Sequence, residues 1–275
     1  MNIRGKILGA LYGFAIGDSM GATTEFMTPK MIQMQYGQVD DLIGGGWLNT
    51  KPGEVTDDTQ MSICIINALN EMWQSYPLIN YDLFRTKVMD KFVEWYKTGP
   101  KDVGGQCSKA INYYMITGEF ISEDTNAQGN GSLMRALPIA LLGMGALELN
   151  LAQGKLTHNN IICQNILYRY MEMVNKCLEG EDVKVRYDKD VSPNGYVVNT
   201  FECVKRHFAE ARDFESGIIN AVNEGGDADT IAAITGGLLG AKFGYDYIPP
   251  SWIEKLDGNV KLILNDYAEK VCKER

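Results

Sequence analysis

Two stretches of the chain carry small residues at every fourth position: Gly9, Gly13, Gly17 and Gly21 near the start, and Ala228, Ala232, Gly236, Gly240 and Gly244 near the end. Residues at that spacing lie on one face of an α-helix. Each interior glycine costs a helix about 1 kcal/mol relative to alanine, so a ridge of them implies a compensating close approach by another backbone. We therefore expect the N-terminal helix and the late helix to pack tightly in the core, bringing their ends near each other.

The rest of the pattern is also helical. Apolar residues recur at helical spacing near 4–21, 57–75, 81–97, 106–117, 132–149, 159–178, 198–211, 215–224, 229–243 and 259–272, and alternating β-branched runs are nearly absent. The one exception, 183–198, holds Pro193-Asn194-Gly195 and reads as a loop with room for a short hairpin. Loops rich in Gly, Pro, Asn and Thr fall at 36–56, 98–105, 122–131, 179–197 and 244–258, none long or biased enough to be an interdomain linker. The expected fold is all-α, a single compact helical domain over 1–275. A chain of 275 residues buries roughly 70–75 % of its unfolded surface, so it needs no disulfide or structural metal to fold.

Charge narrows the partners. With 26 basic against 35 acidic residues the net charge is −9, and no basic run exceeds two residues, which argues against general nucleic-acid or anionic-membrane binding. Six cysteines without a CxxC pair read as reduced, mostly buried thiols. The basic, apolar start resembles a signal peptide until Asp18 interrupts it, so it reads as mature, cytoplasmic protein. No stretch reaches the ~20 apolar residues of a membrane span, and a monomer is expected.

Chemistry gathers at three places. Thr56-Asp57-Asp58 opens a helix, where Thr56 suits the N-cap and aspartates complement the macrodipole whatever else they do. Asp227, Asp229 and Thr230 repeat the combination 170 residues later, after Gly225-Gly226. If the fold joins these corners, their repulsion demands cations. Oxygen donors without Cys or His select Mg²⁺, Mn²⁺ or Ca²⁺ over Zn²⁺. Because Asp227 and Asp229 would face different sides of a regular helix, they should straddle a loop and a first turn. Gly129-Asn130-Gly131-Ser132, leading into a helix, offers backbone N–H groups suited to a diphosphate, although a plain tight turn has the same composition. Arg135 could pair with phosphate or make a structural ion pair. Of the two histidines, His158 precedes a helix and could line a cleft, whereas His207 lies in an ordinary amphipathic stretch. Glu25 has no local context to single it out, and neither Walker nor Rossmann spacing is present.

Together, IRGKILGALYGFAIGDSMGATTEF, GEVTDDTQMSI, GNGSLMRALPIAL, LTH, NGYVVNTFECV, NEGGDADTIAAITGGLLGAKFG and IPPSW resemble the ADP-ribosylglycohydrolase family, in the same order across nearly the whole chain. The resemblance implies an all-α enzyme that uses two divalent cations, Mg²⁺ or Mn²⁺, to cleave ADP-ribose from an acceptor on a protein or small molecule. Carried over by position, Thr56, Asp57, Asp58, Asp227, Asp229 and Thr230 would be the metal ligands. Glu25, Asp57 and Asp229 would be the catalytic carboxylates, with Glu25 as acid/base. Gly129, Asn130, Gly131 and Ser132 would hold the diphosphate and distal ribose, and His158 the rim. Some relatives carry a carboxylate just before GNG; Asn126-Ala127-Gln128 supply none here, which shifts the reading from assisted ribose opening toward Glu25 and water activated at the cations.

The GNGSLMR stretch looks nearer the arginine-directed branch, so ADP-ribosyl-arginine on protein is the expected substrate. The alternatives are hydrolysis of a serine or nucleic-acid linkage, or a non-catalytic ADP-ribose-binding module. A helical isoprenoid-synthase type would need a DDxxD array, which Asp58-Thr59-Gln60-Met61 does not continue. Specificity should reside in 26–55 and 179–197, which are expected to border the entrance.

Overall fold

A computed structural model describes residues 2–75, 80–124 and 126–275. Its helices are α1 (Ile3–Gly21), α2 (Pro29–Tyr36), α3 (Asp57–Ser75), α4 (Tyr81–Tyr96), α5 (Gly105–Thr117), α6 (Leu137–Ala140), α7 (Leu147–Lys155), α8 (Ile161–Glu179), α9 (Val197–Glu210), α10 (Phe214–Glu224), α11 (Ala228–Phe243), α12 (Pro250–Lys255) and α13 (Gly258–Glu274). Among the described residues there is no strand, only isolated bridges such as Gly129 with Tyr196. None of the described helices is long and apolar enough to cross a membrane. The six cysteines are free thiols.

The two glycine ridges meet. A Cβ placed on Gly9, Gly13, Gly17 or Gly21 would lie within 2.1–2.5 Å of the carbonyl oxygens of Gly240, Gly236, Ala232 and Ala228 respectively. Partners on α11 descend in number as those on α1 climb, so the pair is antiparallel. Both helices are buried on every side, Lys6–Gly21 on α1 and Ala228–Ala241 on α11, as befits helices without a polar face. The remaining helices wrap this pair in one continuous apolar core. The C-terminal end of α1 thus lies at the N-terminal start of α11, and the site is built where they meet.

Three sequence expectations are corrected. The segment 132–149 is not one helix: a 3-10 turn at Asn130–Ser132, α6, a second 3-10 turn at Met144–Ala146 and α7 replace it. Pro138 occupies the first turn of α6, and Gly143 takes φ +100°, so one breaks the helix before it and the other ends it. The segment 183–198 forms no hairpin, and α12 emerges inside the expected 244–258 loop. Within the expected 122–131 loop, residue 125 lies outside the described residues.

Candidate active site

Asp18 assembles the first corner. Buried on α1, it accepts hydrogen bonds from the Thr56 N–H (3.0 Å), the Thr56 hydroxyl (2.6 Å) and the Thr59 N–H (3.0 Å). A carboxylate from another helix therefore occupies the place of an N-cap side chain for α3, satisfying donors that helix starts leave open. Thr56 does not cap with its own hydroxyl as expected. Its O–H proton goes to Asp18, which leaves its oxygen lone pairs for another partner. This docking directs Asp57 and Asp58, in the first turn of α3, toward α11.

The second corner depends on Gly225 and Gly226. Both adopt left-handed φ, +74° and +65°, and a Cβ on either would come within about 2.1 Å of the Met27 or Pro193 carbonyl oxygen. This turn leaves Asp227 in a non-helical conformation at the cap position while Asp229 falls in the first turn of α11. The pair straddles loop and helix as its spacing demands.

The corners touch. The Thr230 hydroxyl donates to Asp58 Oδ2 at 3.2 Å, and the Thr230 N–H donates to Asp229 Oδ1 at 2.8 Å. One carboxylate oxygen from each of Asp57, Asp58 and Asp229 can be chosen so that all lie within 4.8 Å of one another, and the same holds for Glu25, Asp102 and Asp229. Asp229 belongs to both triads. Asp227 belongs to neither, and instead accepts from Asn130 Nδ2 at 2.5 Å.

These groups line a pocket of about 260 Å³ together with the N-terminus of α5, Gly129, Asn130, Gly131 and His158. Among the described residues no Lys or Arg lines it. Burial raises the carboxyl of every member: Asp57 to about 8, with the Asp102 charge adding, and Glu25 also to about 8. Asp227 rises to about 6, and Asp58 and Asp229 go well above the usual range as burial combines with their neighbours' charges. Such a cluster binds either protons or cations. The donor set fits a hard divalent ion: it is all oxygen, and Asp58 Oδ1 is buried without a hydrogen-bond partner.

The GNG glycines are required by contact rather than by backbone angle. A Cβ on Gly131 would fall 2.6 Å from His158 Cε1, and one on Gly129 would fall 3.1 Å from Nε2. The Asn130 N–H is already taken by the Gly195 carbonyl at 3.0 Å. Ser132 is fully buried and Thr56 sits behind the cluster; neither lines the pocket. Arg135 does not line the pocket, and it makes no ion pair among the described residues. Fully buried, it donates to the Gly131 carbonyl (2.6 Å), Gln153 Oε1 (2.9 Å) and the Thr157 hydroxyl (2.7 Å), which contacts His158 Nδ1 at 2.8 Å. Burial, reinforced by the Arg135 charge, lowers His158 to about 3, so its ring is neutral.

Two site residues escape the sequence reading. Asp102, from the 98–105 loop, places a carboxylate in the pocket, although 126–128 supply none. It could have been noticed as an acid two residues before the Gly104-Gly105 helix start. Asp18 reads as a mere interruption of an apolar helix, yet a carboxylate there needs buried partners.

A family model described as ADP-ribosylglycohydrolase matches residues 1–275. ADP-ribosyl-dinitrogen reductase glycohydrolase of Rhodospirillum rubrum is 35 % identical over 94 % of this chain and 93 % of its own. ADP-ribosylarginine hydrolase Tri1 of Serratia proteamaculans is 29 % identical over 91 % of this chain and 75 % of its own. A solved structure of an ADP-ribosylglycohydrolase-related protein complex superposes with a TM-score of 0.82, at 25 % identity, over 99 % of each chain.

Proposed function

The chain belongs to the ADP-ribosylglycohydrolase family and is a hydrolase of ADP-ribosyl linkages, and from that premise we propose that it releases ADP-ribose from arginine side chains of modified proteins. In this reading residues 1–275 work as one monomeric domain with two divalent cations, Mg²⁺ or Mn²⁺. The observation that carries it is the junction of the two acidic corners through Thr230 and Asp58. Two relatives named as ADP-ribosylarginine hydrolases support the choice of acceptor.

Asp57, Asp58 and Asp229 would hold one cation, and Glu25, Asp102 and Asp229 the other, with Thr56, Asp227 and Thr230 supporting them. Bound there, the cations would supply an acidified water and a clamp for the ribose hydroxyls. The chain's own groups do the rest. With one oxygen given to a cation, the other oxygen of Glu25 or Asp102 would take a proton from the attacking water and return it to the departing nitrogen. Gly129, Asn130, Gly131 and neutral His158 form a wall without charge against which a diphosphate can rest. Burial of the cluster keeps competing water out.

Replacing Asp57 and Asp229 separately by Asn tests this. Release of ADP-ribose from ADP-ribosylarginine, assayed with Mg²⁺ and with Mn²⁺, should fall by roughly 10²-fold or more in each variant. Unchanged turnover in both variants would remove the cation-centred chemistry. Parallel assays on serine- and nucleic-acid-linked ADP-ribose decide the acceptor.

A further inference from the structure

We propose that Phe26 and Trp47 form the subsite that receives the acceptor's guanidinium group, an inference that rests on the arginine-linked substrate proposed above. Phe26 adopts φ +61°, a conformation that an aromatic residue rarely takes. It is held there by its own N–H, which donates to the Gly226 carbonyl at 2.6 Å, and by the Gly226 N–H, which donates to the Met27 carbonyl at 2.9 Å. The ring so placed is not core: Phe26 is 66 % exposed and lines the pocket. Trp47, 52 % exposed, lies against it with ring centroids 5.4 Å apart and planes at 44°. Its indole N–H donates to Glu25 Oε2 at 2.5 Å, which fixes the ring beside the acidic cluster. Backbone strain that holds an exposed aromatic ring in place marks a functional position.

Position decides what the rings meet. The pocket is lined by the carboxylates of Glu25, Asp57, Asp58, Asp102, Asp227 and Asp229 and by the uncharged Gly129, Gly131 and His158. In the function proposed above the diphosphate rests against Gly129, Asn130, Gly131 and His158. Phe26 follows Glu25 directly in the chain and Trp47 donates to it, so both rings flank the group beside which the bond to the acceptor would be cut. A guanidinium there finds an aromatic face to stack on, the arrangement that cation–π attraction favours. A serine hydroxyl would gain nothing from those rings.

The test uses Phe26→Asn, which tolerates the same backbone angle, with Phe26→Tyr as the ring-preserving control and Trp47→Leu as a second removal away from the strained position. KM for ADP-ribosylarginine should rise about tenfold in the Asn and Leu variants, while Kd for free ADP-ribose by calorimetry stays within about twofold of the wild type. Phe26→Tyr should restore KM. An unmoved KM in both removals, or a Kd for ADP-ribose that rises in step with KM, overturns the subsite alone. Failure of the wild-type chain to release ADP-ribose from arginine overturns the arginine reading and the subsite with it.

Discussion

Asp18 shows how much one buried side chain can organise. It answers three donors at the start of α3, and through them it aims Asp57 and Asp58. Asp18→Ala leaves those donors buried and unanswered, at about 1–3 kcal/mol each. We expect a large drop in Tm, and in whatever folds, weaker Mn²⁺ binding by calorimetry; unchanged Tm would mean that α3 is held by packing alone. Asp57, Asp58, Asp227 and Asp229 were legible because each corner is contiguous in the chain and pairs carboxylates with a hydroxyl. Asp102 and Asp18 were not, because each is a lone acid whose meaning comes only from what the fold sets opposite it. Arg135 was legible as important but not in its role, since its partners Gly131, Gln153 and Thr157 become neighbours only in three dimensions.

At the scale of elements, the α1–α11 pair is the part that local spacing announced, because contact between backbones demands glycine in a fixed rhythm. Gly17→Ala puts a methyl group 2.1 Å from the Ala232 carbonyl. Its overpacking cost exceeds the ~1 kcal/mol of helix propensity gained, for a net loss of roughly 2 kcal/mol and several degrees of Tm. Gly258→Ala, with nothing within 4 Å of the new atom, should leave Tm unchanged or raise it slightly. Equal thermal melts for the two variants would contradict the tight ridge. The broken 132–149 region was harder to read because its apolar spacing continues across Pro138 and Gly143, so periodicity outlasts the helix that it suggests.

For the whole molecule, the acidic cluster couples folding to pH. In the unfolded chain Glu25 and Asp57 titrate near 4.5 and 3.8, against about 8 in the folded pocket. Between those limits the folded state holds more protons, so stability is fully present below the lower values and is lost as pH rises toward the upper ones. In chelator, Tm should fall from about pH 5 to about pH 8, and Mg²⁺ or Mn²⁺ should restore most of the loss at the alkaline end, because cations bind the deprotonated cluster. A Tm that climbs across that window in chelator would refute this account. The central helix pair also sets a timetable for synthesis. At about 5–20 residues per second, a ribosome delivers α1 some tens of seconds before its mate α11. Through that interval a helix greasy on all sides has no permanent neighbour, and the nascent chain must keep it from aggregating until α11 arrives.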